Sequence, residues 1–247
     1  MKPGRLLAVG ATLLLAGPVC AQAPGWEGLV RQLGKPESGD LGGVLRVVMA
    51  LAILSLAPSL LMMVTAFTRI IIVLSFLRGA MGTQSIPPNS VLAGLALFLT
   101  FFVMYPTWYQ VQRQAVQPYT AGKISYQQAL ERGGEPLHDF MLRQTRDQDL
   151  LLFVQLGGLQ TRPPKEKLPF RVLVPAFMIS ELRTAFEIGL LLYVPFLVID
   201  LVVASALMSM GMMMLPPVMI SLPLKLLLFV MADGWSLLAR NVVLSFG

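Results

Sequence analysis

Among the ionisable residues in the apolar C-terminal part of this 247-residue sequence are Glu181, Asp200, Lys225 and Asp233. A charge at the centre of a bilayer costs about 2.5 to 3.5 kcal/mol on insertion scales, so repeated charges in apolar segments call for partners or water. Snorkelling toward a helix end accounts for Glu187 and Arg240 but poorly for Asp200. The spacing therefore points to charge pairing, within the chain or between neighbouring subunits, with Glu181, Asp200 and Asp233 as the acids available to Lys225. Residue types that carry catalysis are sparse. The one histidine, His138, lies in a polar stretch and is expected at the surface. The one cysteine, Cys20, excludes an internal disulfide, and the two together leave no zinc or redox centre. The glycines from Gly28 to Gly34, followed by Lys35, have one residue too many for a phosphate loop, and Pro36 stands where Ser or Thr is needed. No Ser/His or paired-acid arrangement for hydrolysis is visible in a spanning segment. The expectation is a protein that is not an enzyme and uses no cofactor or metal.

A second concentration of one residue type is Met208, Met210, Met212, Met213 and Met214, five of the fifteen methionines, gathered around Gly211 and ahead of Pro216-Pro217. Glycine frees the backbone and the proline pair cannot continue a helix from its N-terminal side, so one helix should end and another begin here. Methionine is unbranched and polarizable, and a cluster of it makes a soft apolar surface. Consecutive helical positions point about 100° apart, so no single packing face buries three methionines in a row. Met210, Met212, Met213 and Met214 are therefore read as an apolar gasket at a hairpin tip; the alternative is that they fill a helix–helix core.

The elements that carry these residues are membrane elements. Hydrophobic residues make up 55% of the chain and charged ones 13%, with mean hydropathy +0.71, too little polar surface for a soluble domain of this size. The formal charge of +6 would suit nucleic acid, but no basic run interleaved with aromatics is present, and flanks facing anionic lipid explain it better. Lys2 and Arg5, the apolar run 6–17 and the small residues around Ala21 and Ala23 have the three-part form of a cleaved signal peptide, and Cys20 would leave with it. Residues 47–67 carry no charge and are long enough to span, with Pro58 kinking them and Arg69 closing them. Pro87-Pro88 stops the following piece, Asn89 or Ser90 can cap a second uncharged helix to about Gln112, and Ser90 with Gly94 offers a small-residue face. The central region is polar, with a capping box at Ser125 and Gln128 and a helix from Pro136 to about Gln155. Further on, Asp200 interrupts an apolar run.

The fold class expected is thus an all-α integral membrane protein of long kinked helical hairpins, with about four hydrophobic helices and a small polar helical subdomain. It divides into a signal peptide (1–23), a flexible exported N-terminus (24–43), a first hairpin (44–112), the polar subdomain (113–171) and a second hairpin with the methionine-rich tip (172–247). A cleaved signal peptide puts the mature N-terminus and the polar subdomain outside, since loops approaching about 60 residues translocate with little regard to their charge.

The run Ser75-Phe76-Leu77-Arg78-Gly79-Ala80-Met81-Gly82-Thr83-Gln84, then Pro87-Pro88-Asn89 and Gly94-Leu95-Ala96-Leu97-Phe98-Leu99-Thr100, resembles the FliP family of flagellar type III export-gate proteins, whose injectisome relatives form the SctR group. The likeness continues through Asp139-Phe140-Met141-Leu142-Arg143-Gln144-Thr145-Arg146, Pro175-Ala176-Phe177, Ser180-Glu181-Leu182 and Gly211-Met212-Met213-Met214, and covers nearly everything after Val44. The resemblance implies subunits packed as helical hairpins into a ring, a pentamer, with FliQ and FliR, in contact with FlhB and FlhA, at the flagellar basal body in the bacterial inner membrane. It also favours Glu181 as the partner of Lys225. The implied function is a pore through which unfolded flagellar proteins are exported in transit to the growing flagellum. The signal peptide favours a flagellar over an injectisome component. A small-molecule permease is the other class, and it would need two related halves around a midplane pocket, which this sequence lacks.

Overall fold

A computed structural model of the chain describes residues 41–83, 85–158, 168–212 and 216–247, and the contacts below lie within residues 59–247, one compact unit. The signal peptide, Cys20, the 24–40 stretch, the 161–167 loop, Met213 and Met214 fall outside the described residues. The described elements are helices: α1 (Leu41–Met63), α2 (Phe67–Ala80), α3 (Asn89–Thr120), α4 (Tyr126–Gln144), α5 (Asp147–Leu156), α6 (Phe170–Ser209), α7 (Pro217–Met231) and α8 (Gly234–Leu244). The all-α membrane class expected from composition is what the chain forms. α3 and α6 are each long and apolar enough to cross a membrane, and α7 with α8 makes a third such segment if the pair, bent by 67°, is one broken span.

Helix α6 is a single helix of 40 residues, about 60 Å at 1.5 Å per residue, roughly twice the hydrocarbon thickness of a bilayer. Asp200, whose charge interrupts the apolar run, lies within this helix: its carboxylate finds partners on the side of the helix and the backbone ladder runs on. Pro175 and Pro195 also lie inside it. Each removes one ladder hydrogen bond, a loss that neighbouring helices let membrane helices tolerate. The second uncharged helix likewise continues past Gln112, through a π-helical turn at Gln112–Val116, to Thr120. The stop expected after Phe67 falls earlier, in a short break after Met63, with Pro58 accommodated inside α1.

Helices α2 and α6 run in the same direction and pack closely. Thr68 lies beside Met178, and Phe76 meets Phe186 edge to face with ring centroids 5.0 Å apart. Gly189 makes the approach possible, since a Cβ there would stand 2.6 Å from Cγ of Phe76. Nothing lies within 4 Å of a Cβ built at Gly94, so the small-residue contact sits on a different helix from the one expected. Around this pair, Ile70, Val73, Leu74 and Leu77 of α2, Leu92, Ala96 and Met104 of α3, and Leu173, Phe177 and Ala185 of α6 belong to one buried core.

The polar subdomain is helical as expected, and Ser125 and Gln128 do form a capping box that starts α4. Its second helix differs. Pro136 lies inside α4 rather than at its start, and the chain breaks at Thr145 and Arg146 before α5. Phe140 and Met141 are buried, but Leu151 and Leu152 are exposed and Leu150 takes the core position. His138 is buried as well: its Nε2 lies 2.8 Å from the carbonyl oxygen of Leu168 and its ring meets Phe170 edge to face. Pattern reading put it in solvent because the residues around it are polar. What covers it is the distant start of α6.

Candidate functional site: paired buried charges and a methionine-bearing turn

Lys225 on α7 is almost fully buried, and its Nζ donates to Oδ2 of Asp200 at 2.6 Å and to the carbonyl oxygen of Ala80 at 3.1 Å. Ser221, one turn earlier on α7, donates to the other carboxylate oxygen, Oδ1, at 2.6 Å. Both oxygens of Asp200 are thus engaged, and the cluster ties the end of α2 to the hairpin formed by α6 and α7. Of the acids available to Lys225, Asp200 is the partner and Glu181, the one that the resemblance favours, is not. Asp233 lies at the bend between α7 and α8 with a left-handed backbone (φ 49°) and makes no ion pair with any described residue.

Glu181 pairs with Arg69. Arg69 is 2% exposed and Glu181 0%. Nε of Arg69 donates to Oε2 of Glu181 at 2.8 Å and Nη2 to Oε1, the two-pronged geometry that suits a guanidinium facing a carboxylate. The remaining donors are also engaged: Nη1 with the carbonyl oxygen and Oγ of Ser245 at 2.7 and 3.1 Å, and Nη2 with Oε1 of Gln144 at 3.0 Å. The guanidinium carbon stacks 3.8 Å from the ring centroid of Phe246. A cation that the sequence places at a membrane boundary is therefore a fully satisfied knot joining α2, α4, α6 and the turn after α8. The sequence signal for it is the single charge that Arg69 introduces between two uncharged apolar runs, 47–67 and 70–77.

The turn between α6 and α7 carries the methionines. Helix α6 ends in a Schellman motif: the N–H of Met212 donates to Leu207 O at 3.0 Å and the N–H of Gly211 to Met208 O at 3.1 Å. Gly211 takes φ +75°, the left-handed conformation that the motif needs and that glycine adopts without a Cβ penalty. Pro216 then stands at the N-cap of α7 and Pro217 at its first position, where the missing N–H costs nothing. Met208 and Met210 project into the open at 60% and 69% exposure, and Met212 is half-buried. At the other hairpin, Pro88 is the N-cap of α3, with Pro87 before it. Asn89 does not cap this helix through its side chain: its Oδ1 accepts from Nη1 of Arg78 at 2.5 Å and so fastens the turn to α2.

What these groups can do follows from their state. The charges of Arg69 with Glu181 and of Lys225 with Asp200 are spent on one another and on backbone carbonyls, which fixes the depth and rotation of the helices that carry them. The exposed methionine tip and the lipid-length apolar faces of α3 and α6 are what the fold leaves unpartnered.

Residues 50–242 match the FliP family. The protein named Flagellar biosynthetic protein FliP from Pectobacterium carotovorum subsp. carotovorum is 51% identical over 241 residues, covering 97% of this chain and 92% of its own length. That from Aquifex aeolicus (strain VF5) is 47% identical over 236 residues, 95% and 96% of the two chains, and that from Bacillus subtilis (strain 168) 50% identical over 207 residues, 84% and 94%. The collinear likeness read from the motifs thus extends over the paired charges, the two proline turns and the methionine tip alike, and the chain belongs to the FliP family.

Proposed function

We propose that this chain is a subunit of the flagellar type III export gate in the bacterial inner membrane, where copies of it form the pore through which unfolded flagellar proteins leave. The observation that carries the reading is its match, near half identical and close to full length, to relatives named for flagellar biosynthesis. The fold supports it: a hairpin held in register by buried charge pairs presents a methionine turn at its tip. Repeated around a ring, that turn makes an apolar constriction of Met210, Met212, Met213 and Met214, which holds back water and ions by dewetting. Flexible thioethers yield to a passing polypeptide and reseal. The chain works by holding shape and not by catalysis. Its partners on this reading are further copies of itself in a pentamer, FliQ and FliR, and FlhB and FlhA beside them, with the mature N-terminus and α4–α5 on the periplasmic side.

The test is genetic and biochemical together. Deleting the gene from its host abolishes swimming and the appearance of hook and filament proteins in the medium, and the intact gene restores both. A deletion strain that still exports those proteins overturns the reading.

A further inference from the structure

Helix α8 is held at its two ends, by an elbow and by a seat. The elbow is Asp233-Gly234. There α7 and α8 meet at 67°, and Asp233 takes a left-handed backbone (φ 49°) that residues with a side chain rarely adopt. A Cβ at Gly234 would stand 2.2 Å from the Phe229 ring, so the joint closes only on glycine. Along the helix itself the buried side chains are Leu238 and Val242, while Trp235, Leu237 and Leu244 are exposed. The seat lies at the far end. A guanidinium carries five N–H donors. In Arg69 those of Nη1 go to the carbonyl oxygen and Oγ of Ser245, and the ring of Phe246 covers the guanidinium face at 3.8 Å. The same ring lies within 22° of parallel to Phe140, centroids 6.4 Å apart, and the carbonyl oxygen of Phe246 accepts from Nε2 of Gln144 at 3.0 Å. Beneath this tip the packing is open, with a groove of about 310 Å³ lined by Phe102, Pro106, Phe140, Val243 and Phe246. A segment with few buried apolar side chains is the kind that opens locally while the rest of a fold stays closed.

We propose that α8 and the turn after it form a latch, hinged at Asp233-Gly234, that opens and closes as a unit over the Arg69–Glu181 pair. Opening it takes two hydrogen bonds and the aromatic cover from Arg69 but leaves the bonds to Glu181 and Gln144, which belong to other helices. Seat and latch are coupled in both directions: loss of the guanidinium loosens α8, and loss of the tip uncovers the guanidinium. Phe246 is the positioning residue of the tip, since a cation held over a ring away from water is attracted more strongly than one in solvent. The docking of α8 is thereby conditional on α2 and α6 having paired, and a hairpin whose charges have not met stays open at this end.

Two measurements on the full chain purified in mild detergent read the two directions. Phenylglyoxal, an apolar reagent for guanidinium groups, followed at Arg69 by peptide mass spectrometry, reads the uncovering; amide hydrogen exchange reads the opening of α8. In wild type Arg69 is protected, and the α8 amides exchange faster than those of α2 and α6. Phe246→Ala raises modification of Arg69 about tenfold, the change in open population on losing one desolvated cation–π contact, with exchange in α2 and α6 unchanged. Phe246→Tyr, which keeps the ring, stays near wild type. Arg69→Met with Glu181→Leu removes the seat without stranding a charge, and it speeds exchange in α8 but not in α3. Amides of α8 that exchange in step with those of α6 in wild type overturn the proposal, as does an Arg69 equally protected in Phe246→Ala. Exchange that rises alike in α2, α6 and α8 of Phe246→Ala also overturns it, because Phe246 is then part of a common core and not the tip of a latch.

Discussion

Arg69 and Glu181, 112 positions apart, meet in a two-pronged pair with almost no solvent contact. Removing one partner of such a pair leaves an uncompensated buried charge and costs about 3 to 5 kcal/mol, whereas replacing both with apolar groups of similar volume is far cheaper. Glu181→Gln is therefore expected to lower the thermal midpoint of the detergent-purified protein by roughly 10 °C. Arg69→Met combined with Glu181→Leu should lose clearly less than the sum of the two single changes. Single variants that melt with wild type would show the pair to be dispensable.

The second pair is less sheltered, with about a third of the Asp200 side chain in contact with solvent against almost none of Lys225. Neutralising Lys225 should accordingly cost less than neutralising Glu181, yet still loosen the hairpin, since Asp200 and the carbonyl oxygen of Ala80 both lose the ammonium that joins them. Lys225→Ala is expected to reduce both complex formation and swimming, and the exchange Lys225→Asp with Asp200→Lys to restore part of each. Normal complex formation and motility in Lys225→Ala would remove this pair from the account.

Two glycines offer an internal control. A methyl at Gly189 collides with Phe76, while one at Gly94 meets open space. Overpacking a tight contact typically costs about 1 to 3 kcal/mol, and alanine in an exposed helical position gains up to about 1 kcal/mol over glycine. Gly189→Ala should thus destabilise and Gly94→Ala should not. The two melting curves shifting together would contradict the α2–α6 packing described here.

The helical class, the proline turns, the capping box and the demand for charge pairing are legible in the sequence, because each rests on local chemistry: apolar length, turn residues, a Ser-x-x-Gln spacing, charge in an apolar run. Partner choice is not. Local pattern cannot tell whether Lys225 meets Glu181 or Asp200, since that depends on two helices running side by side and on which acid lies at the same height. Glu181 was already taken by Arg69, a residue read as a boundary marker because only its neighbours in sequence were visible. His138 was misplaced for the same reason, its cover coming from Leu168 and Phe170 some thirty residues on. Polarity begins at Gln112 and signals the end of a helix there, but a π-turn carries the helix on to Thr120.

The order of basic, apolar and small residues in the first 23 positions predicts a mature chain beginning near Gln22 or Pro24. Intact-mass measurement of the membrane-extracted protein decides it. A product that keeps Met1 and Lys2 would contradict cleavage and, with it, the periplasmic placement of the N-terminus.

Conductance across a membrane holding the assembled complex reads whether the methionine turn closes the proposed pore. With Met212, Met213 and Met214 replaced by alanine or glycine, the complex should still assemble while ion leak rises and growth slows, since the constriction loses the bulk that keeps it dry. Variants that fall apart into subunits, with no leak through those that remain whole, would mean that the methionines hold helices together and do not seal a channel.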